Sequence, residues 1–443
     1  MKQKNRLSFR LFFIALCEPT FTTENLIGDD VETDGQIIYR ALAAHLVRVK
    51  VQPQIKKDAV LAQFSFIKTR PILSTINSHL ERTPLRFFAE YIHSNILNAI
   101  NSNTAEDVLG RFYGEFVRYS GNGDKKNLGI VLTPRHITEL FTDLIDLTPA
   151  DVVFDPCCGT GGFLVAAIHK MLKQAKNKEE QKKIKKNNLY GIEVRDDMFA
   201  IATTNMILRG DGKSNLICDD CFNAKNREEF KGIVFSVGMM NPPYSQGTKK
   251  DPSQYELSFV EHLLDSLTPG ARAAVIVPQS SMTGKTKDEQ KFKESIMKNH
   301  TLEGVITCNT DTFYGVGTNP VIAVFTAHEP HPANKICKFI DFRDDGYEVR
   351  AHVGLVEGDS AKDKKQHLLD VWFRRTEAPS KFCVESTAQA DDEWLHSFYY
   401  FNDEIPTEAD FEKAIGDYLS FEFSMVMQNR EYLFTGGGAD DEA

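Results

Sequence analysis

The hydrophobic residues of the chain follow two different patterns. From Gln36 to about Tyr119 they recur every three or four positions, as in QIIYRALAAHLV, PLRFFAEYIHSNILNAI and AEDVLGRFYGEFVRY. This spacing places apolar side chains on one face of a helix, so it predicts a helical amino-terminal region with little strand. The turn-forming segment SGNGDKKNLG, residues 120–129, then indicates a domain boundary.

From Asp151 onward, short apolar runs alternate with helical patterns. The predicted strands are DVVFD, NLYGIEV, SNLICDD, GIVFSVGMMN, ARAAVIVPQ, TLEGVITC and PVIAVFTA. The predicted helices are GGFLVAAIHKMLKQA, MFAIATTNMILRG, FVEHLLDSL and DEQKFKESIMKN. Strands that alternate with helices form βαβ units, so this region predicts an α/β fold with a mostly parallel sheet.

Beyond about Lys338 the segments are shorter. KFIDFRDDGYEVR predicts a β-hairpin, TEADFEKAIGDYLSFEFSMVMQ predicts a last helix, and the tail GGGADDEA predicts disorder. We therefore expect three parts: a helical amino-terminal domain at residues 1–125, an α/β domain at residues 126–345, and a carboxyl-terminal extension at residues 346–443 with a terminal helix and an acidic tail.

Composition and charge narrow the class of protein. The chain of 443 residues is 42% hydrophobic and 26% charged, which is typical of a folded globular protein and excludes a mostly disordered one. Its net charge of −10 argues against binding of nucleic acid by bulk charge, so any contact with DNA needs a local patch or a partner. The Lys-rich run from Lys173 to Asn188 predicts a solvated helix end, with a phosphate-contacting surface as the alternative.

The cysteines and the first residues indicate a cytoplasmic protein. Eight cysteines in a chain of this length are too few for a disulfide scaffold, and the pair Cys218 and Cys221 has no second ligand pair for zinc. We expect reduced cysteines and no metal. The start, MKQKNRLSFRLFFIALC, has an apolar run that is short, adjoins Arg10 and lacks a cleavage site, so it predicts an amphipathic helix and no secretory signal. No segment approaches the roughly 18 apolar residues that span a membrane.

A glycine-rich turn joins the first predicted strand to its helix. The sequence Asp155-Pro156-Cys157-Cys158-Gly159-Thr160-Gly161-Gly162-Phe163 lacks the third glycine of the dinucleotide fingerprint and the Gly-Lys-Ser/Thr of a phosphate-binding loop. A carboxylate at Asp155 would repel a pyrophosphate but suits a ligand with an ammonium group. S-adenosylmethionine has an ammonium, a sulfonium and a ribose, and it has no phosphate. A purely structural turn is the alternative.

An acidic residue ends the second predicted strand. Glu193 can accept hydrogen bonds from ribose hydroxyls at that position. It follows Asp155 by more than the usual distance of about 20 residues, because the Lys-rich run is inserted between the two strands. By itself, Glu193 is weak evidence for a cofactor site.

A proline pair interrupts the fourth predicted strand at Asn241-Pro242-Pro243-Tyr244. Prolines cannot donate to a sheet, so the strand must stop there, and they leave the Asn241 amide and the Pro242 carbonyl as rigid acceptors. Two such acceptors fit the edge of a planar amino group and would release its lone pair toward a methyl sulfonium. Tyr244 then offers a stacking face for a base. Termination of the strand without any chemistry is the alternative.

Together these residues resemble the γ-type amino-methyltransferases acting on DNA adenine, and more narrowly the modification subunit of type I restriction-modification systems. The resemblance covers about Ala105 to His328 and includes VLGRFYGEFVRY and Leu132-Thr133-Pro134-Arg135. It implies a Rossmann-like methyltransferase domain with a mostly parallel seven-stranded sheet. The cofactor would be S-adenosylmethionine, bound by Thr133, Pro134, Asp155, Pro156, Gly159, Thr160, Gly161, Gly162, Phe163, Glu193 and Asp220.

The same resemblance implies a catalytic tetrapeptide and a set of partners. Asn241 to Tyr244 would be catalytic, and Phe313 in FYGVGT would flank a target adenine flipped out of double-stranded DNA, with packing in the core as its alternative. The resemblance further implies a separate specificity subunit, a second modification subunit and, in some systems, a restriction subunit. Helices at both ends of the chain would dock to these partners.

Two other functions remain open on the sequence alone. Asn-Pro-Pro-Tyr also occurs in enzymes that resemble protein-glutamine methyltransferases and guanine-N2 RNA methyltransferases. A cofactor-binding fold kept only as an assembly scaffold is the non-enzymatic alternative, which the joint presence of Asp155, Glu193, Asn241 and Tyr244 disfavours. The histidines His136, His262 and His300 are expected to serve packing or the surface of helices.

Overall fold

The computed structural model describes residues 12, 15–49, 54–97, 132–208, 215–223, 230, 232–248, 251–314, 317–350, 354–402 and 407–427. Four sequence predictions lie wholly or mainly outside these residues. They are the first helix in MKQKNRLSFRLFFIALC, the helix AEDVLGRFYGEFVRY, the boundary segment SGNGDKKNLG and the tail GGGADDEA.

The amino-terminal region is helical, as its spacing predicts. Its helices are α1 Asp34–Arg48, α2 Gln54–Phe64, α3 Pro71–Ser74 and α4 Pro84–Ile92, with 3₁₀ turns at Thr23–Asn25 and Ser65–Thr69 and a π turn at His93–Leu97. Thr33 starts α1 with a capping box that Gln36 completes, and the Thr83 hydroxyl accepts from the Arg86 N–H at the start of α4. The apolar faces of these helices form one core with Met198, Ile201 and Ile207.

The main sheet of the described chain has nine strands, in the order β11-β8-β6-β7-β5-β4-β1-β2-β3. The strands are β1 Val153–Asp155, β2 Leu189–Ile192, β3 Asn215–Ile217, β4 Val237–Met240, β5 Arg272–Pro278, β6 Thr301–Cys308, β7 Pro320–Thr326, β8 Cys337–Phe342 and β11 Cys383–Ser386. Strands β7 and β11 pair antiparallel with their neighbours, and the other pairs are parallel. The mostly parallel sheet is therefore confirmed, and β8 and β11 extend the expected seven strands.

Helices cover this sheet and fill its crossovers. They are α5 Arg135–Leu144, α6 Gly162–Gln174, α7 Lys178–Asn187, α8 Asp196–Leu208, α9 Glu256–Ser266, α10 Gln279–Thr283, α11 Lys287–Asn299, α12 Ala361–Trp372 and α13 His396–Tyr399, with a 3₁₀ turn at Pro252–Gln254. Apolar side chains from the strands and helices form two cores in this part of the chain.

The predicted hairpin over KFIDFRDDGYEVR is wrong. Strand β8 pairs with β6 and β11, whereas β9 Tyr347–Arg350 pairs with β10 Gly354–Glu357 in a separate two-stranded ladder. Both edges of β8 are occupied, so β9 has no free edge to join. Gly346, with φ of 82°, turns the chain away from the sheet between the two strands.

The chain forms two compact units, which are described separately. The first runs from Met1 to Tyr399 and contains every helix and strand named above. The second, Tyr400–Ala443, contains α14 Glu408–Met427, which confirms the predicted last helix. Apolar side chains on α14 are solvent-exposed, among them Phe411, Ile415 and Leu419. The division at residues 125 and 345 stays a prediction.

Strand order places the candidate residues at one edge of the sheet. Strand β1 lies between β2 and β4, with Val153 opposite both Leu189 and Val237. The chain order reverses at β1, and such a switch point opens a ligand crevice at the carboxyl ends of the strands. The glycine turn after β1, Glu193 after β2 and Asn241 after β4 all leave from this edge.

Candidate methyl-donor and target-base site

The glycine turn after β1 is held in shape from three sides. Gly159 and Gly161 have φ of 54° and 84°, a left-handed conformation that favours glycine. Inside the turn, the Gly161 N–H donates to the Cys158 carbonyl at 2.7 Å. The Cys158 N–H donates to the Ile192 carbonyl of β2 at 2.8 Å, and the Asn205 side chain of α8 donates to the Thr160 carbonyl at 2.8 Å. The turn therefore presents its backbone and the amino end of α6 to the crevice.

Asp155 lies beneath this turn and is 1% exposed. Its Oδ1 accepts from the Cys157 N–H at 3.1 Å, while within the described residues its Oδ2 has no hydrogen-bond partner. Burial raises the pKa of Asp155 well above its ordinary value, and the nearby Glu193 raises it further. The carboxyl group is a buried polar group that supports the turn and keeps one oxygen uncommitted.

Glu193 fastens the turn to the end of β2. Its Oε2 accepts from the Gly159 N–H at 2.9 Å and its Oε1 accepts from the Arg195 N–H at 2.8 Å. Burial raises the pKa of Glu193, against the lowering effect of these two backbone donors. Each carboxylate oxygen still has a second lone pair, so Glu193 can also accept from a diol.

A cavity of about 490 Å³ opens beside these groups, a size within the usual range for ligand pockets. Most of the predicted cofactor residues line it. They are Thr133, Pro156, Gly159, Thr160, Gly162, Phe163, Glu193 and Asp220. Asn241, Pro242 and Pro243 line the same cavity, so one space reaches both the predicted cofactor site and the predicted catalytic segment.

Asn241 is oriented by a residue far away in the sequence. Its Nδ2 donates to the Thr133 hydroxyl at 2.9 Å, and its Oδ1 is shielded from solvent. Because the two ends of an amide point in different directions, this bond turns Oδ1 away from Thr133 and fixes its orientation. Behind the tetrapeptide, Ser245 has a φ of 56° and its N–H donates to Glu256 Oε1 at 2.7 Å, which holds the end of the segment.

Two predicted aromatic residues lie behind the cavity wall. Tyr244 is 8% exposed, and its hydroxyl donates to the Ile276 carbonyl at 3.3 Å. Phe313 is 3% exposed and meets Tyr244 edge to face, with 6.0 Å between ring centroids. Burial raises the pKa of the Tyr244 phenol well above its ordinary value. Both rings therefore pack in the core in this state, and neither presents a face to the cavity.

Three predicted cofactor residues are not among the lining residues of the cavity: Asp155, Gly161 and Pro134. Gly161 precedes the first residue of α6, and Pro134 precedes the first residue of α5. They shape the backbone that does line the cavity. Whether each predicted residue has its expected role stays a prediction, since the geometry fixes only position.

The sequence prediction missed several lining residues. They are Leu132, Cys157, Cys158, Val194, Arg195, Met198, Asp219, Cys221, Gln246, Gln254 and Phe259. Many of them adjoin a predicted residue, so chain proximity was a usable signal for Val194, Arg195, Asp219 and Cys221. Gln254 lies in the 3₁₀ turn before α9 and Phe259 lies within α9, and neither belongs to a motif recognised in the sequence.

The lining fits S-adenosylmethionine by its chemistry. Glu193, Asp219 and Asp220 supply acceptors for hydroxyl and amino groups, and Arg195, the basic residue among the described lining residues, is ion-paired with Asp197. The Cys157 thiol hydrogen-bonds Cys221, and this contact, with burial, raises the pKa of Cys157 well above its ordinary value. The neutral Cys157 thiol thus adds apolar surface to the cavity.

Three further features of the described chain concern its cysteines, its possible metal ligands and the hydropathy of its helices. All eight cysteines are free. Among the described residues, no group of three or more His, Cys, Asp or Glu side chains could hold a metal ion. No helix in the described ranges is both long enough and apolar enough to cross a bilayer.

The Lys-rich α7 leads into the amino end of β2, so it lies at the sheet edge opposite the cavity, as a solvated helix would.

The family comparison matches the whole α/β region. The model of the N-6 DNA methylase family matches residues 104–393. The type II restriction enzyme and methyltransferase RM.BcgI of Heyndrickxia coagulans is 49% identical over 427 residues, which are 96% of this chain and 67% of that protein. The type I restriction enzyme EcoEI methylase subunit of Escherichia coli is 27% identical, over 53% of this chain and 50% of that one.

Solved structures share the fold. A modification subunit from Vibrio vulnificus YJ016 superposes with a TM-score of 0.62 at 17% identity, over 92% of this chain and 91% of that one. The M protein of the type I restriction enzyme EcoKI superposes with a TM-score of 0.51 at 17% identity, over 100% and 92%. The chain thus spans nearly all of these two structures, but only about half to two thirds of the two sequence relatives.

Proposed function

The chain belongs to the N-6 DNA methylase family, and we propose that it methylates the N6 atom of adenine in double-stranded DNA with S-adenosylmethionine as donor. The observation that carries this proposal is the single cavity that joins the glycine turn and Glu193 to Asn241 and Pro242. A methyl donor and an amino acceptor can meet in that space. A restriction-modification system is the setting that the relatives suggest.

The cofactor would be held by groups that already line the cavity. Bound there, S-adenosylmethionine supplies an electrophilic methyl group on a sulfonium. Glu193 offers acceptors to the ribose hydroxyls, and Asp220 with its neighbour Asp219 offers acceptors near the adenine ring. The turn from Pro156 to Gly162 and Thr133 line the same cavity, and they would hold the middle and the methionine end of the cofactor.

Asn241 and Pro242 would activate the target amine. The nitrogen lone pair of adenine N6 is delocalised into the ring, which makes it a poor nucleophile. Acceptance of its two hydrogens by Asn241 Oδ1 and the Pro242 carbonyl favours a pyramidal nitrogen whose lone pair is free to attack. Fixed dipoles of this kind contribute about 10²–10³ in rate for each group. Neither acceptor is basic enough to keep a proton, so the proton released from N6 passes to water.

Base flipping would require a rearrangement around Tyr244. Extrusion of an adenine from a duplex costs a few kcal/mol, and stacking on an aromatic ring returns about 1–3 kcal/mol. Tyr244 is covered by Phe313 in this state. Entry of a base between the two rings therefore needs the segment that carries Phe313 to move outward, after which Phe313 would flank the base.

The partners follow from the relatives and from the charge. With a net charge of −10 the chain is a poor clamp for DNA by itself. We infer that a specificity subunit selects the site, that a second copy of the methylase joins the complex, and that a restriction subunit or restriction activity accompanies it in the cell. A cytoplasmic location follows from this role and from the free cysteines.

The direct test is nucleoside analysis of DNA from cells that express the full chain with its native neighbouring genes. N6-methyladenine should appear with the wild-type chain and vanish with Asn241→Ala, while the affinity of that variant for S-adenosylmethionine stays within about threefold, because Asn241 acts on the acceptor. Methylated guanine in RNA or methylated glutamine in protein, with unmodified DNA, would move the activity to the alternative substrates. Wild-type levels with Asn241→Ala would remove Asn241 from the mechanism.

A further inference from the structure

The segment that carries Phe313 starts from a side chain with a structural task. Asn309 follows the last residue of β6 and is 9% exposed. Its Oδ1 accepts from the Asp311 N–H at 2.9 Å, and its carbonyl accepts from the Thr312 N–H at 3.1 Å. Asn309 therefore shapes the turn that leads to Phe313, the ring that covers Tyr244. We call residues 309–314 the aromatic loop.

The amide of Asn309 is itself held by a buried carboxylate. Its Nδ2 donates to Asp345 Oδ1 at 2.8 Å and lies 3.2 Å from the Tyr347 carbonyl. Asp345 Oδ1 also accepts from the Tyr347 N–H at 2.9 Å, and the residue is 4% exposed. Asp345 belongs to the connection between β8 and β9, so a segment outside the sequence motifs fixes the start of the aromatic loop.

The same connection also reaches the other wall of the site. The ring of His136, in the first turn of α5, stacks on Tyr347 with 4.0 Å between centroids and 20° between planes. Its Nε2 lies 3.9 Å from Asp345 Oδ2. Burial lowers the pKa of His136 to about 4, so the ring is neutral near pH 7 and stacks without a charge. Just before α5, Thr133 accepts from Asn241.

These contacts form a closed path that begins and ends in the catalytic tetrapeptide. It runs from Asn241 through Thr133 and α5 to His136 and Tyr347. It then continues through Asp345 and Asn309 to Phe313, which packs on Tyr244. The contact between Thr133 and Asn241 and the aromatic loop are thus linked through Asp345 and Tyr347.

We propose that Asp345 and Asn309 are positioning residues for the target base, which set the aromatic loop against Tyr244 and couple it to the helix that carries Thr133. This inference rests on the proposed function. Neither residue lines the cavity, so neither is expected to bind the cofactor. A buried carboxylate is a costly way to fill space, because burial raises the pKa of Asp345 against the lowering effect of its hydrogen bonds from Asn309 and Tyr347.

Three variants separate positioning from general stability. Asn309→Ala and Asp345→Leu remove the bond between the two side chains, whereas Asp345→Asn keeps an acceptor for Asn309 and for the Tyr347 N–H. The matched control is Asp151→Asn. Asp151 is also a buried carboxylate, 6% exposed, and it accepts from Thr148, Ser236 and Arg272. It precedes β1 and so lies at the opposite end of that strand from the cavity.

The experiment uses the full chain with whatever subunits co-purify with it. Adenines methylated by the wild-type protein in plasmid DNA are first mapped by sequencing, and a duplex is made with 2-aminopurine at one mapped position. Fluorescence of that base reports flipping. Steady-state methyl transfer gives kcat and KM for the duplex, calorimetry with sinefungin gives affinity at the cofactor site, and the melting temperature reports folding.

We expect Asn309→Ala and Asp345→Leu to lower both the 2-aminopurine signal and kcat by about tenfold, with sinefungin affinity within about threefold of wild type. Asp345→Asn should recover most of the signal. Asp151→Asn should lower the melting temperature and leave the signal unchanged. A wild-type signal in both Asn309→Ala and Asp345→Leu would overturn the inference, as would an equal loss in Asp151→Asn. If Asp345→Leu does not fold, the 2-aminopurine signal of Asn309→Ala alone tests the inference.

A different experimental result would overturn the proposed function itself. Plasmid DNA without any N6-methyladenine after treatment with the wild-type complex would overturn that function, and this inference with it. If the wild-type protein methylates adenines but Asn309→Ala and Asp345→Leu give the wild-type 2-aminopurine signal, only the proposed role of Asp345 and Asn309 is overturned.

Discussion

At the scale of single residues, the bond between Thr133 and Asn241 sets the orientation of the Asn241 amide, and in the proposed mechanism that orientation decides which end faces the target base. The amide can be hydrogen-bonded through either end, and only the oxygen can accept from adenine N6. Thr133 accepts from Nδ2 at 2.9 Å and so selects the productive orientation. The Thr133 hydroxyl accepts in this bond, so its own hydrogen can still be donated. Thr133 also lines the cavity, where the methionine end of a cofactor would accept that hydrogen.

Thr133→Val should therefore lower kcat at saturating S-adenosylmethionine by about tenfold, because a buried amide that loses its partner is held less firmly. Thr133→Ser keeps the hydroxyl and should stay within about threefold of wild type. The measurement is methyl transfer to plasmid DNA over a range of cofactor concentrations. A variant with a raised KM for the cofactor and an unchanged kcat would show that Thr133 serves only cofactor binding.

Asp155 is a residue at which burial of an ionisable group opposes stability. Its carboxyl is fully buried with one oxygen lacking a partner in the described chain, and its folded-state pKa is raised well above the ordinary value. A raised carboxyl pKa means that the folded state prefers the proton. Its contribution to stability is complete below the unfolded pKa and is lost as pH rises through the folded pKa.

We expect Asp155→Asn to stabilise the protein without cofactor at pH 8, by about one degree in melting temperature for roughly 1 kcal/mol. The Cys157 N–H would keep an acceptor. The gain should shrink as the pH is lowered toward 4, where the wild-type carboxyl is also neutral. The affinity for S-adenosylmethionine should fall by about tenfold if the carboxylate serves its ammonium group. Melting curves of both proteins between pH 4.5 and pH 8.5 measure the first effect, and a constant difference would contradict it.

The residues of the site could be predicted from the sequence only where a motif places them. The glycine turn, Glu193 and Asn241 each follow a predicted strand, and parallel strands bring their carboxyl ends to one edge. The contact between Thr133 and Asn241 joins residues 108 positions apart, and no local pattern specifies it. The burial of Tyr244 depends on Phe313 and Ile276, so the sequence suggested a stacking face that the structure keeps covered.

At the scale of elements, periodicity predicted strand positions well and strand pairing poorly. All seven predicted strands of the α/β region are present, and TLEGVITC matches β6 Thr301–Cys308 from end to end. The sequence Asp-Gly in DDGYEVR is a strong hairpin signal. The hairpin fails because β8 is nearly all buried and is paired on both edges, a property of the whole sheet that the local pattern does not contain.

A buried lysine joins two helices to the chain that follows β11. Lys293 of α11 has no exposed surface, donates to the Met282 carbonyl of α10 at 3.2 Å and also donates to the Asp392 carbonyl. Its ammonium lies 4.5 Å from the centre of the Trp394 ring. Burial lowers the pKa of Lys293 to about 8, against the raising effect of Asp392 and other acids.

This pKa predicts how stability depends on pH. Between pH 8 and about 10.5, an unfolded lysine still binds its proton while Lys293 in the folded state releases it, so the contribution of Lys293 to stability rises with pH in that window. The melting temperature of the wild type minus that of Lys293→Met should therefore increase from pH 7.5 to pH 10. Lys182→Met, at a mostly exposed position on α7, is the control and should give a flat difference. A flat difference for Lys293→Met would contradict the assignment.

At the scale of the whole molecule, the net charge and the exposed apolar side chains of α14 support the proposal that this chain works with a partner. Most of the affinity of proteins for DNA comes from neutralised phosphates, and this chain has ten more acidic than basic residues, a net charge of −10. Helix α14 has no buried residue and exposes Phe411, Ile415, Tyr418 and Leu419. Apolar surface of that extent is typical of an interaction site.

An apolar face of α14 is where we expect a specificity subunit to dock. Ile415, Leu419 and Val426 lie on one face of α14, since helical neighbours recur every three or four residues, and Lys413 lies on the opposite face. If this face docks to a specificity subunit, Ile415→Glu combined with Leu419→Glu should abolish co-purification and lower plasmid methylation by more than about tenfold, because a desolvated charge opposes apolar contact. Cofactor affinity should not change, as none of the described lining residues of the cavity belongs to α14. Lys413→Ala should behave as wild type. Efficient, site-specific methylation by the isolated chain would show that DNA recognition resides in this polypeptide, and it would remove the reason for a partner on α14.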